Sequence, residues 1–232
     1  MTQELTTDLS MLERLVEPYG KNVLDVGCGG GGLARDLSAR GAQVIGLDIS
    51  EQQLADAIAH DGRSGARYLV GSAQGLPLED GSTDVVVFMR SLHHVPASDL
   101  GLALREACRV LRPGGAVYVA EPLAQGDYFV LTSLVEDELE VREAAQHALS
   151  HAALVGLDRA MTVDYDVRVR IQDLDALRAR IVRVDPKRAA RFDSRRAQIA
   201  EAFQRLGEPG EQASERCFVQ PMRADVLRPS TT

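Results

Sequence analysis

The chain is predicted to be an α/β protein with a mostly parallel sheet and helices on both faces. Three observations carry that prediction. Short apolar runs at 23–26, 44–47, 68–70, 84–88 and 117–120 alternate with stretches of helical periodicity, the pitch of βαβ units. The run Asp84-Val-Val-Val-Phe88 is apolar throughout, as a strand covered on both faces must be. The first run breaks directly into glycines at 27, 29, 30, 31 and 32, a turn with almost no side chains of its own.

Each element follows in order. Leu5, Leu9, Leu12 and Val16 recur at helical spacing, and Pro18 and Gly20 stop that helix. Strand 23–26 comes next, then a helix marked by Leu33 and Leu37 and ended by Gly41. Strand 44–47 closes on Asp48, and Ser50 is placed to cap a helix carrying Leu54 and Ile58. After strands 68–70 and 84–88, a helix face of Leu100, Leu104, Ala107 and Leu111 runs into Pro113-Gly114-Gly115 and strand 117–120. The pattern changes after Glu121. Residues 127–155 read as helical with a mixed signal. From 163 to 171 apolar and polar residues alternate strictly, describing a half-exposed strand near a sheet edge. Two helix faces follow, Leu174/Leu177/Ile181/Val184 and Phe192/Ile199/Phe203/Leu206, separated by Pro186. Met222, Ala224 and Val226 suggest a last strand with Pro221 near its start, and 207–214 reads as a mobile loop. No internal repeat or low-complexity linker interrupts the chain, so 1–232 is read as a single domain.

Composition narrows the function classes. With 34 acidic and 26 basic residues the formal charge is −8, which disfavours nucleic acid and anionic membranes as partners. No apolar run approaches the ~18 residues of a membrane span, and the first residues lack a signal-peptide pattern. Cys28, Cys108 and Cys217 are odd in number and widely spaced. That argues against a disulfide framework or a cysteine zinc site and suits a reducing cytoplasm.

The chemistry sits at the glycine turn. Gly27-x-Gly29-x-x-Gly32 followed by Asp48 satisfies the general dinucleotide pattern, which alone is weak. Asp25 sharpens it, giving Asp-x-Gly-x-Gly-x-Gly over 25–31. A pyrophosphate on a helix N-terminus has no use for an anion beside it. A ligand with a cationic amino-acid head does, and S-adenosylmethionine (SAM) is such a ligand.

These residues, with 46–50 (Gly-Leu-Asp-Ile-Ser), 71–77 (Gly-Ser-Ala-Gln-Gly-Leu-Pro), the Leu92-His93-His94 run after 84–88 and 111–115 (Leu-Arg-Pro-Gly-Gly), resemble the class I SAM-dependent methyltransferases. The resemblance is to their small-molecule branch, which includes the ubiquinone/menaquinone (type 11) methyltransferases, and covers roughly residues 20–122. It implies a Rossmann-like fold with a seven-stranded sheet whose last strand is antiparallel. It implies SAM as methyl donor, with S-adenosylhomocysteine as its product, and a small-molecule acceptor. Asp25 and the turn Gly27-Cys28-Gly29 would hold the methionine end of SAM, with Cys28 filling space rather than reacting. Asp48 would accept from the ribose hydroxyls, Ile49 would pack on adenine, and Ser72 and Ala73 would face the adenine edge. Relatives often carry Asp where this chain has Ser72. Phe88, Met89 and Arg90 would sit near the sulfonium.

Catalytic assignment is less direct, because methyl transfer needs alignment and exclusion of water more than a base. Arg90 stands where relatives carry small or neutral residues. It reads either as a receptor for a carboxylate or phosphate on the acceptor or as an ion-pair partner of Glu121 or Asp127. His94 and Glu121 are the other catalytic candidates, each with a structural alternative. Tyr128 is a candidate acceptor contact or a core aromatic. Glu143, His147 and His151 share a helix face at metal-ligand spacing but lack further ligands, so no metal is assigned. Segments 123–160 and 172–215 are expected to form a helical cap over the SAM-binding core (1–122) and to shape the acceptor pocket. Phe192, Ile199 and Phe203 need a buried partner, for which a homodimer is one candidate. The rival functions are a non-methylating SAM enzyme such as a cyclase, a NAD(P)-dependent oxidoreductase, and a silent SAM-binding module.

Overall fold

The computed structural model describes residues 3–62 and 64–230. In chain order the elements are β1 (Glu4–Leu5), α1 (Asp8–Val16), β2 (Asn22–Val26), α2 (Gly32–Ala39), β3 (Gln43–Asp48), α3 (Glu51–Ala59), β4 (Arg67–Val70) and β5 (Thr83–Met89). Then come α4 (Leu100–Val110), β6 (Leu111–Pro122), α5 (Asp127–Ser133), α6 (Leu139–Ser150), β7 (Leu157–Ile171), α7 (Leu174–Val184), α8 (Arg188–Ser194), α9 (Arg196–Leu206), β8 (Glu208–Pro209) and β9 (Arg216–Pro229). A 3-10 turn at Leu92–His94 follows β5.

Hydrogen bonding gives the strand order β1-β7-β9-β6-β5-β2-β3-β4, with β8 pairing antiparallel to β9. The pairs β2–β3, β2–β5, β3–β4 and β5–β6 are all parallel, as the alternating pattern requires. Asp25 lies opposite Gly46 on one side and Val87 on the other. Among the described residues the sheet has nine strands rather than seven, and the two-residue strands β1 and β8 make the difference.

The chain divides into two compact units. The larger comprises Asp8–Glu121, Glu143–Val163 and the chain from Arg223 onward. Its core joins Leu24, Val86, Phe88 and Val117 of the sheet to Leu104 of α4, Leu149 of α6 and Leu227 of β9. Two helices start where side-chain oxygens dictate. Ser50 Oγ accepts from the Gln53 N–H at 3.3 Å and caps α3, and Asp173 Oδ1 accepts from the Ala176 N–H at 2.8 Å and caps α7. The smaller unit comprises Pro122–Arg142, Asp164–Met222 and the residues up to Thr7. It has its own core, in which Phe218 packs on Phe203 and Tyr128 with ring centroids 5.6 and 5.8 Å apart.

Several sequence expectations are corrected. Leu5 belongs to β1 and is exposed, so the first helix starts only at Asp8. Ile58 is 62% exposed, and α3 buries Leu54 and Ala57 instead. Pro221 sits in mid-strand, where its carbonyl accepts from the Leu123 N–H at 2.9 Å although it has no N–H to give. The loop expected at 207–214 contains β8. Phe192, Ile199 and Phe203 are buried in their own unit's core, so no second copy is needed to cover them.

Candidate functional site

The C-terminal ends of parallel strands are where α/β sheets bind ligands, and the larger unit gathers its unusual polar groups there. β2 is buried along almost its whole length, and Asp25 is buried with it, only 2% exposed. Among the described residues its Oδ2 has no hydrogen-bond partner. Burial, reinforced by the nearby Asp48 carboxylate, pushes the Asp25 carboxyl up to about 7. A buried acid without a partner carries a solvation cost that something else must offset.

The turn after β2 is held by backbone alone. Leu47 O accepts from the Gly27 N–H at 2.7 Å and from the Cys28 N–H at 3.0 Å. Gly27 has φ +74°, and a Cβ there would lie 2.6 Å from Ser91 Cβ. Gly31, at φ +71°, has the Tyr68 hydroxyl 2.7 Å from where a Cβ would be. Both positions therefore require glycine. The Cys28 thiol packs against Gly46, and burial, then Asp25 and Asp48, push it up, away from reactivity.

Asp48, the last residue of β3, ties the region together. Its Oδ2 accepts from the Gly29 N–H and its Oδ1 from the Ser50 N–H, both at 2.9 Å. Each carboxylate oxygen can accept a second bond, so Asp48 has capacity left for a ligand. Beside it Ile49 is 75% exposed, an apolar side chain open to solvent next to the Asp48 carboxylate. Ser72 makes a bridge with Gly75, and Ala73 belongs to the core.

The end of β5 forms the adjoining part. Phe88 is fully buried and Met89 partly so. Arg90 adopts φ +57°, a left-handed conformation that costs a non-glycine residue on the order of 1–3 kcal/mol. Its N–H donates to Ala120 O at 2.8 Å. Ser91 Oγ donates to Val26 O at 2.6 Å, which fastens this segment to the end of β2. The Arg90 side chain pairs with neither Glu121 nor Asp127. Its Nε donates to Asp8 Oδ2 at 2.9 Å, at the start of α1.

Glu121 is engaged elsewhere. Its Oε1 accepts from the Leu92 N–H at 2.8 Å, and its Oε2 meets His93 Nδ1. At 1% exposure and with both oxygens engaged, it holds the 3-10 turn and is not presented to a ligand, contrary to its expected catalytic role. His94 is exposed on that turn, its ring 4.0 Å from the His93 ring. Tyr128 lies in the smaller unit's aromatic core, the alternative to its expected acceptor contact. His151 Nδ1 lies 2.9 Å from His147 O on α6, and among the described residues no three ligating side chains form a metal site. Sequence reasoning missed Asp8 and Ser91. Nothing local marks Asp8, while a small residue facing a glycine turn is a signal only once the strands are aligned.

Residues 24–119 match the methyltransferase domain family. A fatty-acid O-methyltransferase of Mycolicibacterium smegmatis is 31% identical over 204 residues, covering 87% of this chain and 69% of that protein. A ubiquinone biosynthesis O-methyltransferase of Sodalis glossinidius is 41% identical over 111 residues, 47% of this chain and 44% of that protein. The chain thus spans under half the length of that relative. Among solved structures, a candidate methyltransferase of Bacillus halodurans superposes with a TM-score of 0.67 at 21% identity, covering 97% of this chain and all of that one. The cyclase SpnF superposes at 0.62 with 19% identity, covering 99% and 87%. At such identities these likenesses show the fold alone. The match across the glycine turn, together with the long alignment to the mycobacterial enzyme, makes the chain a member of the methyltransferase domain family.

Proposed function

We propose that the protein binds SAM at the β2–β3 end and transfers its methyl group to an oxygen of a small-molecule acceptor carrying a carboxylate or other anionic group. The observation that carries the reading is Asp25, a buried carboxylate with an unpartnered oxygen beside a turn that rejects any Cβ at Gly27. An ammonium is the group that would offset its burial. Asp25 and the backbone of Gly27, Cys28 and Gly29 are assigned to the methionine end, Asp48 to the ribose, and Ile49, Ser72 and Ala73 to the adenine. The residues present fit that ligand. An acid lacks a partner where a cation is due, and an exposed isoleucine offers an apolar face where an aromatic ring is due.

When bound, SAM supplies a methyl group already activated by its sulfonium. The chain's own contribution is placement. The glycine turn admits the ligand closely, and Met89 and the strained Arg90 border the reacting end. The Glu121–His93 pair holds the turn that presents His94, the one candidate here for a proton acceptor. Two relatives named O-methyltransferases support oxygen as the acceptor atom. We assign the contact to the acceptor's anionic group to Arg90, and the contacts to the rest of the acceptor to residues beyond the matched stretch. We also assign the protein to a reducing compartment, on its three free cysteines, with no nucleic acid among its partners. Among the described residues no helix is long and apolar enough to cross a membrane.

The test is product analysis with SAM and a panel of phenolic and carboxylic acceptors. S-adenosylhomocysteine appearing with a methylated acceptor supports the reading. Methylthioadenosine, or conversion of the acceptor without loss of the methyl group from SAM, assigns the site to another reaction.

A further inference from the structure

Arg90 is oriented in a way that the methyltransferase reading does not by itself require. Its backbone is held in a left-handed conformation at the end of β5, and its Nε is engaged by Asp8. Neither Nη1 nor Nη2 makes a hydrogen bond or ion pair with any described residue. The two side chains are 25% and 22% exposed, so the pair is accessible. Ser91, the next residue, packs on Gly27 and donates to Val26 O, which keeps Arg90 at the mouth of the glycine turn.

A guanidinium held through Nε offers its other edge as two parallel N–H donors. That geometry fits the two oxygens of a planar carboxylate. Asp8 also sets a charge limit. Its carboxylate lies against the guanidinium, so an added negative charge gains the fork while meeting that carboxylate. A dianion doubles both the attraction and that repulsion, while its desolvation cost rises about four-fold, so the pair discriminates against it.

We infer that Asp8 and Arg90 form a receptor for a monoanionic carboxylate on the acceptor, in which Arg90 makes the contact and Asp8 positions it and excludes phosphate. The inference rests on the acceptor reading above and adds the chemical class of the anion and a second residue, on α1, that selects it.

The test follows the Arg90 Nε–Hε signal by 15N NMR, identified by its loss in Arg90→Lys. The full chain is titrated with acetate, octanoate, methyl octanoate and inorganic phosphate, with and without S-adenosylhomocysteine. The expected result is a saturable shift with acetate and octanoate and none with methyl octanoate. Phosphate should bind at least about ten-fold more weakly, and Arg90→Lys, which lacks the reporter signal and is followed by calorimetry, should bind acetate about ten-fold more weakly than the unaltered protein. Asp8→Ala should bring phosphate up to the carboxylate, a reversal that a merely structural aspartate does not produce. Asp8→Asn, which keeps the acceptor oxygen and drops the charge, should do the same and serves if the alanine variant misfolds. The inference is overturned if no carboxylate shifts the signal, if phosphate equals acetate in the unaltered protein, or if both Asp8 variants leave the preference intact. Calorimetry with S-adenosylhomocysteine on the same samples separates the two failures. Nucleoside heat without an Arg90 response sinks only the receptor, whereas an Arg90 response without nucleoside heat sinks the cofactor reading.

Discussion

On either side of β5, two carboxylates are buried almost completely, and they are treated in opposite ways. Glu121 in β6 has both oxygens engaged, one by the Leu92 N–H and one by His93. Asp25 in β2 has an oxygen with no partner, and its burial pushes it up to about 7. The same residue chemistry and the same depth thus give a structural clamp in one case and a carboxyl with an unsatisfied oxygen in the other. A saturated buried acid is explained by the protein alone. An unsaturated one points beyond it, toward a ligand. In the ligand-free structure Glu121, expected as a catalytic candidate, is engaged in holding the 3-10 turn.

The strongest way to break the comparison is to remove the clamp. Glu121→Ala removes the buried carboxylate that the Leu92 N–H and His93 Nδ1 meet, and it should lower unfolding free energy by about 3–5 kcal/mol. Urea denaturation measures this, and the folded fraction should still bind S-adenosylhomocysteine within about three-fold of the unaltered protein. A folded, stable variant that has lost the nucleoside would erase the distinction between the two acids.

Asp25→Asn should do the reverse. Affinity for S-adenosylhomocysteine should fall about 100-fold by calorimetry, the loss of one charged hydrogen-bonded contact. The melting temperature of the ligand-free protein at pH 8 should hold or rise, because a costly buried charge has gone.

The pH dependence sharpens the same point. Asp25 has its folded pKa raised, so between about pH 4 and 7 the folded state holds a proton that the unfolded state has released. Stability of the ligand-free protein therefore falls as pH rises through that window and levels off above it. Binding of an ammonium favours the ionised form, so affinity for S-adenosylhomocysteine should climb about ten-fold from pH 6 to 8. Asp25→Asn should flatten both trends. The smallest effect is expected at Ile49. Replacing it with alanine should weaken the nucleoside about five-fold with no change in melting temperature, since the side chain is exposed in its absence.

What the sequence made legible was local. Asp25, the glycines and Asp48 sit at fixed offsets around one strand–turn–helix unit, so their proximity follows from the backbone. The partner choices were not legible. Arg90 meets Asp8 across 82 positions and Glu121 meets His93 across 28, and no periodicity reports such pairings. Ile58 misled because its helix shows its core face through Leu54 and Ala57. Phe203 misled because its cover, Phe218, lies on a strand beyond an intervening loop.

The two compact units are interleaved along the chain, and this has a bearing on biosynthesis. The larger unit's core includes Leu24 and also Leu149, Leu157 and Leu227. A nascent chain emerging from the ribosome therefore exposes its first strands long before the residues that seal them are translated. Truncation after residue 122 would keep every motif that identifies the family yet yield an aggregating fragment. Folding should accordingly be post-translational and depend on chaperone holding at high expression.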